Sequence, residues 1–216
     1  MYVPPLFAET DVPRLHEAIR AARLASLVTF GETGIEASHV PMLLDPEPAP
    51  WGTLYGHIAR TNPQWQRFDA AVPALAIFLG PEAYVSPAWY PTKRQTGKVV
   101  PTWNYVAVHA YGPLRFFEDA ESLLSIVTRL TERHEKDRPE PWRVDDAPAD
   151  YIASMLKAIV GFALPIARLE GKWKMSQNRP HQDRLGVVEG LKREGGAAEA
   201  TVAALVQAAD QKSNSG

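Results

Sequence analysis

Hydrophobic and polar positions alternate between a helical period and a strand period along this chain. Leu15, Ile19 and Ala22 repeat at i, i+4 and i+7, which predicts an amphipathic helix over Asp11–Leu24. Asn62-Pro63 predicts the start of a short helix, because Asn caps a helix and Pro suits its first position. The helical period returns in four later segments, Asp119–Asp137, Ala149–Ala158, Pro180–Glu194 and Ala197–Ala209.

Between these helices, short apolar runs bounded by Gly and Pro predict β-strands. They are Ala25–Phe30, Ile35–Asp45, Gly52–Ile58, Pro73–Leu79, Glu82–Ser86, Trp103–Glu118 with a bend at Gly112-Pro113, and Val160–Met175 as a strand pair or one long strand. The strands do not alternate regularly with helices, so a small antiparallel barrel decorated by helices, in the α+β class, is favoured over a parallel sheet. We expect one domain over residues 1–209 and a disordered tail over 210–216.

Composition narrows the range of functions. The 216 residues include no cysteine, which excludes disulfides, zinc–thiolate sites, iron–sulfur clusters and a cysteine nucleophile. No apolar run is long enough to span a membrane, and the first residues lack the pattern of a signal peptide, so we expect a cytoplasmic protein. A net charge of −2, from 23 basic and 25 acidic residues, does not indicate a nucleic-acid-binding protein.

Five polar and aromatic segments interrupt the hydrophobic strands. They are Ser38–Pro41, Gly56–Pro63, Tyr84–Pro91, Val100–Tyr105 and Lys172–Asn178. Their Lys, Arg and hydroxyl groups suit a phosphate, and their Trp and Tyr side chains suit the walls of an aromatic ligand. Together they indicate a site for a flat, phosphorylated heterocycle.

These five segments resemble the FMN-binding negative transcriptional regulator (PaiB) family, and the resemblance extends from Met1 to about Gly190. It implies an FMN-binding split β-barrel, antiparallel and Greek-key-like with flanking helices, that forms a homodimer with flavin at the subunit interface. It also implies repression of transcription, with DNA as a partner. The residues expected near the flavin are Ser38, His39, His57, Arg60, Asn62, Trp103, Asn104, Lys172 and Lys174.

Each of these motifs also has a purely structural interpretation. Arg60 and Asn62 precede a predicted helix, so they indicate either an anion site at its N-terminus or an ordinary cap beside a solvated Arg. Lys172 and Lys174 fall on one face of a predicted strand. They either share an anion or protect a solvated edge strand from aggregation.

The segment Lys93–Lys98 carries three positive charges. It either closes over an anionic ligand, contacts nucleic-acid phosphate or is simply solvated. By contrast, residues Glu194–Gln211 contain no Lys or Arg. The last helix is therefore a poor DNA-recognition helix, and we expect it to pack on the barrel or on a partner subunit.

Other chemistry has little support in the sequence. The six histidines show no metal-ligand spacing, so no metal site is predicted, and neither a phosphate-binding glycine loop nor a nucleophile elbow occurs. Two alternatives to the regulator stay open. One is a flavin reductase or another FMN-dependent oxidoreductase of the same fold. The other is a haem-binding relative with His39 or His57 as axial ligand.

Overall fold

The computed structural model of this protein describes the backbone of residues 1–214 and the side chains of residues 1–211. Its strands are β1 (Ala8–Glu9), β2 (Ala25–Gly31), β3 (Gly34–Val40), β4 (Leu43–Asp45), β5 (Thr53–Ala59), β6 (Ala74–Val85), β7 (Thr102–Gly112), β8 (Arg115–Phe117), β9 (Ile159–Pro165) and β10 (Arg168–Lys174). Its helices are α1 (Val12–Ala21), α2 (Gln64–Arg67), α3 (Thr92–Thr96), α4 (Ala120–Glu135), α5 (Ala149–Leu156), α6 (His181–Glu194) and α7 (Ala197–Asn214).

Two antiparallel sheets carry the fold, which confirms the predicted α+β class. The six-stranded sheet has the order β1-β10-β7-β6-β2-β3, and the four-stranded sheet has the order β4-β5-β9-β8. By its contacts the chain divides into two compact units. The first unit contains residues 1–11, 79–108 and 170 onward, and the second contains residues 12–78 and 109–169.

The second unit is built around a β-hairpin and the four-stranded sheet. In the hairpin β2 pairs with β3 from Ala25↔Val40 to Gly31↔Gly34, and Gly34 adopts φ +99°, which only glycine tolerates readily. Alternate β2 residues are buried, so the strand has one core face, as the period of two requires. Helix α4 begins at a capping Asp119, whose Oδ1 accepts the Ser122 N–H at 2.9 Å, and it packs against the second sheet.

Two predicted strands are wrong in extent, because proline interrupts them. The expected strand Ile35–Asp45 is two strands in different sheets, β3 and β4, separated at Pro41. The expected strand Trp103–Glu118 ends at Gly112, and β8 begins in the other sheet. Pro113 cannot donate a ladder hydrogen bond, and a Cβ on Gly112 would lie 1.9 Å from the Pro165 carbonyl oxygen. The chain changes sheets at this point.

In two other places the structure has regular elements that the sequence analysis did not predict. The expected strands Pro73–Leu79 and Glu82–Ser86 are one strand, β6, which continues through Gly80-Pro81. The charged segment Lys93–Lys98, for which no helix was predicted, overlaps α3, a single helical turn that ends at Gly97 with φ +66°. Val160–Met175 is the predicted strand pair, β9 and β10.

The first unit is completed by a C-terminal helical hairpin. Helices α6 and α7 meet at Gly195, which has φ +77° and ends α6. Their contact is lined by buried aliphatic side chains, Val187, Leu191, Val202 and Val206. Helix α7 continues to Asn214, and the last two residues of the predicted tail lie outside the described residues. In the described part of the chain, no helix is both long and apolar enough to cross a membrane.

Candidate functional site

A hydrogen-bonded network joins β3 to the start of α2 in the second unit. Asn62 Nδ2 donates to Ser38 Oγ at 2.8 Å, and Ser38 Oγ donates to Gln64 Oε1 at 2.6 Å. Asn62 Oδ1 accepts the Gln64 N–H at 3.0 Å. The N-cap of α2 is Pro63 rather than the predicted Asn62, which lies one residue earlier and contacts the first helical N–H from there. Gln64 is buried and also donates to the Leu27 carbonyl and to Thr29 Oγ1. Its importance was not evident from the sequence, because an isolated Gln carries no pattern.

A cavity of about 410 Å³ lies beside this network. Ser38, His39, His57 and Asn62 line it, so four of the predicted site residues meet there. His57 Nδ1 is buried and has no hydrogen-bond partner among the described residues. Burial lowers the pKa of His57, so its imidazole is neutral at pH 7 and presents an unused polar atom. His39 differs, since its Nδ1 lies 3.0 Å from Ser26 Oγ.

The guanidinium of Arg60 contacts other protein groups in the structure. Its Nε donates to the Lys157 carbonyl at 2.6 Å and its Nη2 to the Ile159 carbonyl at 3.2 Å. Its Nη1 forms an ion pair with Glu118. These bonds tie the end of α5 to the chain after β5, and they use three of the five N–H donors of the guanidinium. A phosphate contact by Arg60 would have only the two remaining N–H groups, on a cation that Glu118 already pairs.

In the first unit, β10 brings cationic side chains together, as the strand period predicted. Lys172 is buried, with its Nζ 5.5 Å and 5.2 Å from the ring centroids of Tyr2 and Tyr105. Its Nζ also donates to the Tyr2 carbonyl at 3.1 Å. A cation between two aromatic faces is stabilised by the ring quadrupoles. Lys172 is therefore held in place without a carboxylate.

Lys174 is the second cation of this strand. Its Nζ donates to Thr102 Oγ1 and, at 2.8 Å, to the Trp103 carbonyl. Burial, together with the charges of Lys172 and Arg179, lowers the pKa of Lys174. An ammonium has three protons and the described contacts of Lys174 use two, so one donor is available to a ligand.

Arg179 completes this cationic cluster, which consists of Lys172, Lys174 and Arg179. Its guanidinium carbon lies 4.6 Å from the centroid of the Tyr90 ring. Burial raises the pKa of Tyr90, and the nearby Arg179 charge opposes that rise. The sequence prediction missed Arg179, although a third cation within eight residues was a usable signal. None of the three cations has a carboxylate partner in the described part of the chain.

The turn after β10 positions neutral polar groups in the same unit. Asn104 is fully buried, and its Nδ2 donates to Ser176 Oγ at 3.0 Å. Ser176 has φ +60°, an uncommon conformation for a residue other than glycine. Trp103 is about half exposed and packs edge to face on Tyr84, with ring centroids 5.8 Å apart. The turn after β10 and the start of β7 therefore offer both buried polar groups and an accessible aromatic surface.

The predicted site residues thus form two groups. Ser38, His39, His57, Arg60 and Asn62 belong to the second unit, and Trp103, Asn104, Lys172 and Lys174 belong to the first. The first group includes the residues that line a cavity with an unpaired imidazole nitrogen, and the second includes two of the three cations of the cluster, which has no carboxylate partner among the described residues. Among the described residues, no group of three or more His, Asp or Glu could hold a metal ion.

Solved structures with similar folds bind flavin. A FAD and heme binding protein from Mycobacterium smegmatis aligns with a TM-score of 0.55 and 15% identity, over 77% of this chain and 73% of that protein. The flavocytochrome Anf3 from Azotobacter vinelandii aligns with a TM-score of 0.57 and 13% identity, over 77% of this chain and 69% of that protein. At this identity the likeness establishes the fold, which is the flavin-binding split barrel that the sequence predicted.

Sequence comparison identifies the family. The family described as "Putative FMN-binding domain" matches residues 1–168. The Bacillus subtilis protein named Protease synthase and sporulation protein PAI 2 is 34% identical over 90% of this chain and 90% of its own length. An uncharacterized protein of Aspergillus fumigatus is 37% identical over 90% of this chain and 92% of its own length. The chain belongs to this FMN-binding family of split-barrel proteins, as predicted.

Proposed function

We propose that this protein binds FMN through its phosphate at the cationic cluster and that it acts as a negative regulator of transcription. The cluster is the observation that carries the first half of this proposal. Among the described residues, three cations share a partly buried surface without a carboxylate partner. Burial, and then repulsion by Lys172 and Arg179, lowers the pKa of Lys174. A bound phosphate relieves this repulsion, because each charge-assisted hydrogen bond favours the charged side chain.

The residues present fit FMN rather than an uncharged flavin. Lys174 and Arg179 can each donate a charge-assisted hydrogen bond to phosphate oxygen, and Lys172 contributes charge from its buried position. Bound FMN would supply redox chemistry, whereas the residues of this chain would hold and orient it. We assign Arg60 to the support of α5, because Glu118 pairs its charge and two backbone carbonyls accept further N–H groups of its guanidinium.

The test compares FMN with riboflavin, which lacks the phosphate. We expect FMN to bind more tightly by at least about tenfold, and Lys174→Met to remove most of that preference, since a hydrogen bond to a charged group contributes roughly 1.5–3 kcal/mol. Lys157→Met, which removes an exposed cation elsewhere, is the matched control. Equal affinities of the wild type for FMN and riboflavin would refute the phosphate site.

We also propose that the protein forms a homodimer through an apolar sheet face in the second unit. This face consists of Val28, Phe30, Ile35, Leu75 and Ile77, which the strand register places side by side on β2, β3 and β6. Phe30 is 50% exposed and Ile35 is 75% exposed. The opposite face of β2 is buried, so both faces of this strand are apolar. A contiguous exposed apolar patch is typical of an interface.

The regulatory role is supported by the resemblance to the PaiB family. If the protein contacts DNA directly, the contacts should come from the α3 segment, where Lys93, Arg94 and Lys98 are all exposed. Helix α7 has no Lys or Arg up to Gln211 and packs against α6. We therefore expect the isolated protein to bind DNA at non-specific strength, roughly 10⁻⁴–10⁻⁶ M at physiological salt.

Replacement of Lys93, Arg94 and Lys98 by Gln tests this surface. We expect the slope of log Kd against log salt to fall by about one unit for each phosphate contact that is lost. A control triple, Arg115, Lys136 and Lys157 to Gln, removes the same charge from exposed positions elsewhere. Nanomolar, sequence-specific binding would contradict the prediction that the protein binds DNA weakly. An unchanged salt slope in the Lys93, Arg94 and Lys98 variant would contradict the prediction that these residues contact DNA.

A further inference from the structure

One cavity is separate from both groups of predicted flavin residues. It is a cleft of about 640 Å³ between α4, the turn at residues 143–147, and α5. Leu124, Val144, Ile152 and Leu156 give it an apolar lining, and Thr128 adds a hydroxyl. This volume lies within the roughly 300–1,000 Å³ that small-molecule sites occupy.

The sequence explains why a cleft is present between these helices. The side of the cleft formed by α5 and the preceding turn carries small residues, Ala147, Ala149 and Ala153, where larger side chains would fill the space. Arg133, on the same helix as the lining residue Leu124, donates to the Met42 and Ala22 carbonyls and so fixes α4 elsewhere in the unit. The α4 residues that line the cleft, such as Leu124 and Thr128, are therefore different from those that hold α4 against the rest of the unit.

The charges around the cleft are not balanced. Arg143 Nε lies 3.1 Å from Asp145 Oδ1, so these two charges compensate each other. Glu132 lines the same cleft, and its carboxylate has no ion pair or hydrogen bond among the residues that the structure describes. An apolar cleft with one uncompensated carboxylate is complementary to a molecule that carries an apolar body and one positive charge.

We propose that this cleft binds a small organic amine, with its aromatic or aliphatic body on the apolar lining and its ammonium group at Glu132. The proposal is independent of FMN, because the lining residues belong to none of the five flavin-like segments. A carboxylate ligand is disfavoured, since the one cation of the lining, Arg143, is already paired with Asp145. A neutral ligand would leave Glu132 without a role.

The test uses 4-phenylbutylamine and its neutral counterpart 4-phenylbutanol as probes, with binding to the full-length protein measured by calorimetry and ligand-observed NMR. We expect the amine to bind about three- to tenfold more tightly than the alcohol, a modest factor because Glu132 is exposed. Glu132→Gln should abolish this preference. Glu121→Gln, an exposed Glu of the same helix outside the cleft, should preserve it.

A second variant tests the location independently of charge. Ala153→Phe places a large side chain in the cleft, at an exposed helical position that tolerates it, and it should weaken both probes by at least about tenfold. Circular dichroism verifies that each variant is folded. Equal affinity of amine and alcohol, retention of the preference in Glu132→Gln, or no binding of the amine at about 10 mM would each overturn the proposal.

Discussion

At the scale of single residues, Lys174 links the charge of the cationic cluster to pH. Its pKa lies below the ordinary 10.5, chiefly because of burial and then because of Lys172 and Arg179. The unfolded chain therefore binds more protons than the folded chain between the lowered pKa and 10.5, and stability rises with pH across that window. A bound phosphate acts in the opposite direction, since it favours the protonated ammonium.

It follows that the affinity for FMN should decrease as the pH rises through the lowered pKa of Lys174. Fluorescence titration with FMN between pH 7 and 10.5 measures the decrease. Lys174→Arg should bind with little pH dependence over the same range, because a guanidinium stays charged. A wild-type affinity that is constant across the range would show that Lys174 does not contact the phosphate.

His57 predicts a different pH effect, on stability. Burial lowers its pKa from 6.5, so the unfolded state takes up a proton before the folded state does as the pH falls. The free energy of unfolding should therefore decrease below about pH 6.5 until the lowered pKa is reached.

Chemical denaturation at pH 7 and pH 5 measures this loss. The loss should be smaller in His57→Gln than in the wild type, because that variant has no buried imidazole to protonate. His134→Gln, which replaces an exposed histidine, is the control and should behave as the wild type. Identical losses in wild type and His57→Gln would contradict the assignment of a neutral, buried His57.

At the scale of elements, helix α6 approaches Trp89 more closely than any side chain would allow. A Cβ on Gly186 would lie 2.0 Å from the Trp89 carbonyl oxygen, and one on Gly190 would lie 2.2 Å from Cδ2 of its ring. The i, i+4 spacing puts both glycines on one face of α6. In an exposed helix, Gly→Ala stabilises by up to about 1 kcal/mol, but here the clash should reverse the sign.

We expect Gly186→Ala to lower the free energy of unfolding by about 1–3 kcal/mol, the usual cost of overpacking. Glu189→Ala, at an exposed position of the same helix, should change it little. Urea denaturation of the two variants beside the wild type provides the measurement. A Gly186→Ala variant as stable as the wild type would mean that α6 can move away from Trp89 without cost.

The boundaries of several helices and strands could be predicted from the sequence, because they depend on residues that are close together along the chain. Asp119 caps α4, and the helical period of α1 required only residues within one turn of each other. Sheet membership could not be read in this way. The segment from Ile35 to Asp45 was predicted as one strand, yet its two halves pair with different partners, β2 and β5. Pairing depends on distant strands, which no local pattern specifies.

At the scale of the whole molecule, the apolar sheet face predicts a homodimer. Replacement of Ile35 by Lys introduces a charge at its most exposed position. A stable interface buries more than about 1,000 Å², and an unpaired charge inside it is costly. We therefore expect the wild type to be dimeric and Ile35→Lys to be monomeric or much weaker in association.

Light scattering and sedimentation at micromolar concentration distinguish these states. Thr33→Lys is a suitable control, because Thr33 lies in the exposed turn beside the same hairpin but outside the apolar face. A wild-type monomer, or an Ile35→Lys variant that remains fully dimeric, would contradict this assignment of the interface.

The sequence by itself determined the α+β class, most helices, the family and the types of side chain that a phosphorylated flavin requires. Those features depend on local periodicity, capping and short motifs. Only the tertiary structure decided which of these side chains have unused bonding capacity. Arg60 and Lys172 are both cations in the predicted motifs, but Arg60 is bound to Glu118 and two carbonyls, whereas Lys172 lies between two rings beside further cations. Whether the charge of a side chain is already paired depends on its neighbours in space, and those neighbours come from parts of the chain that are distant in sequence.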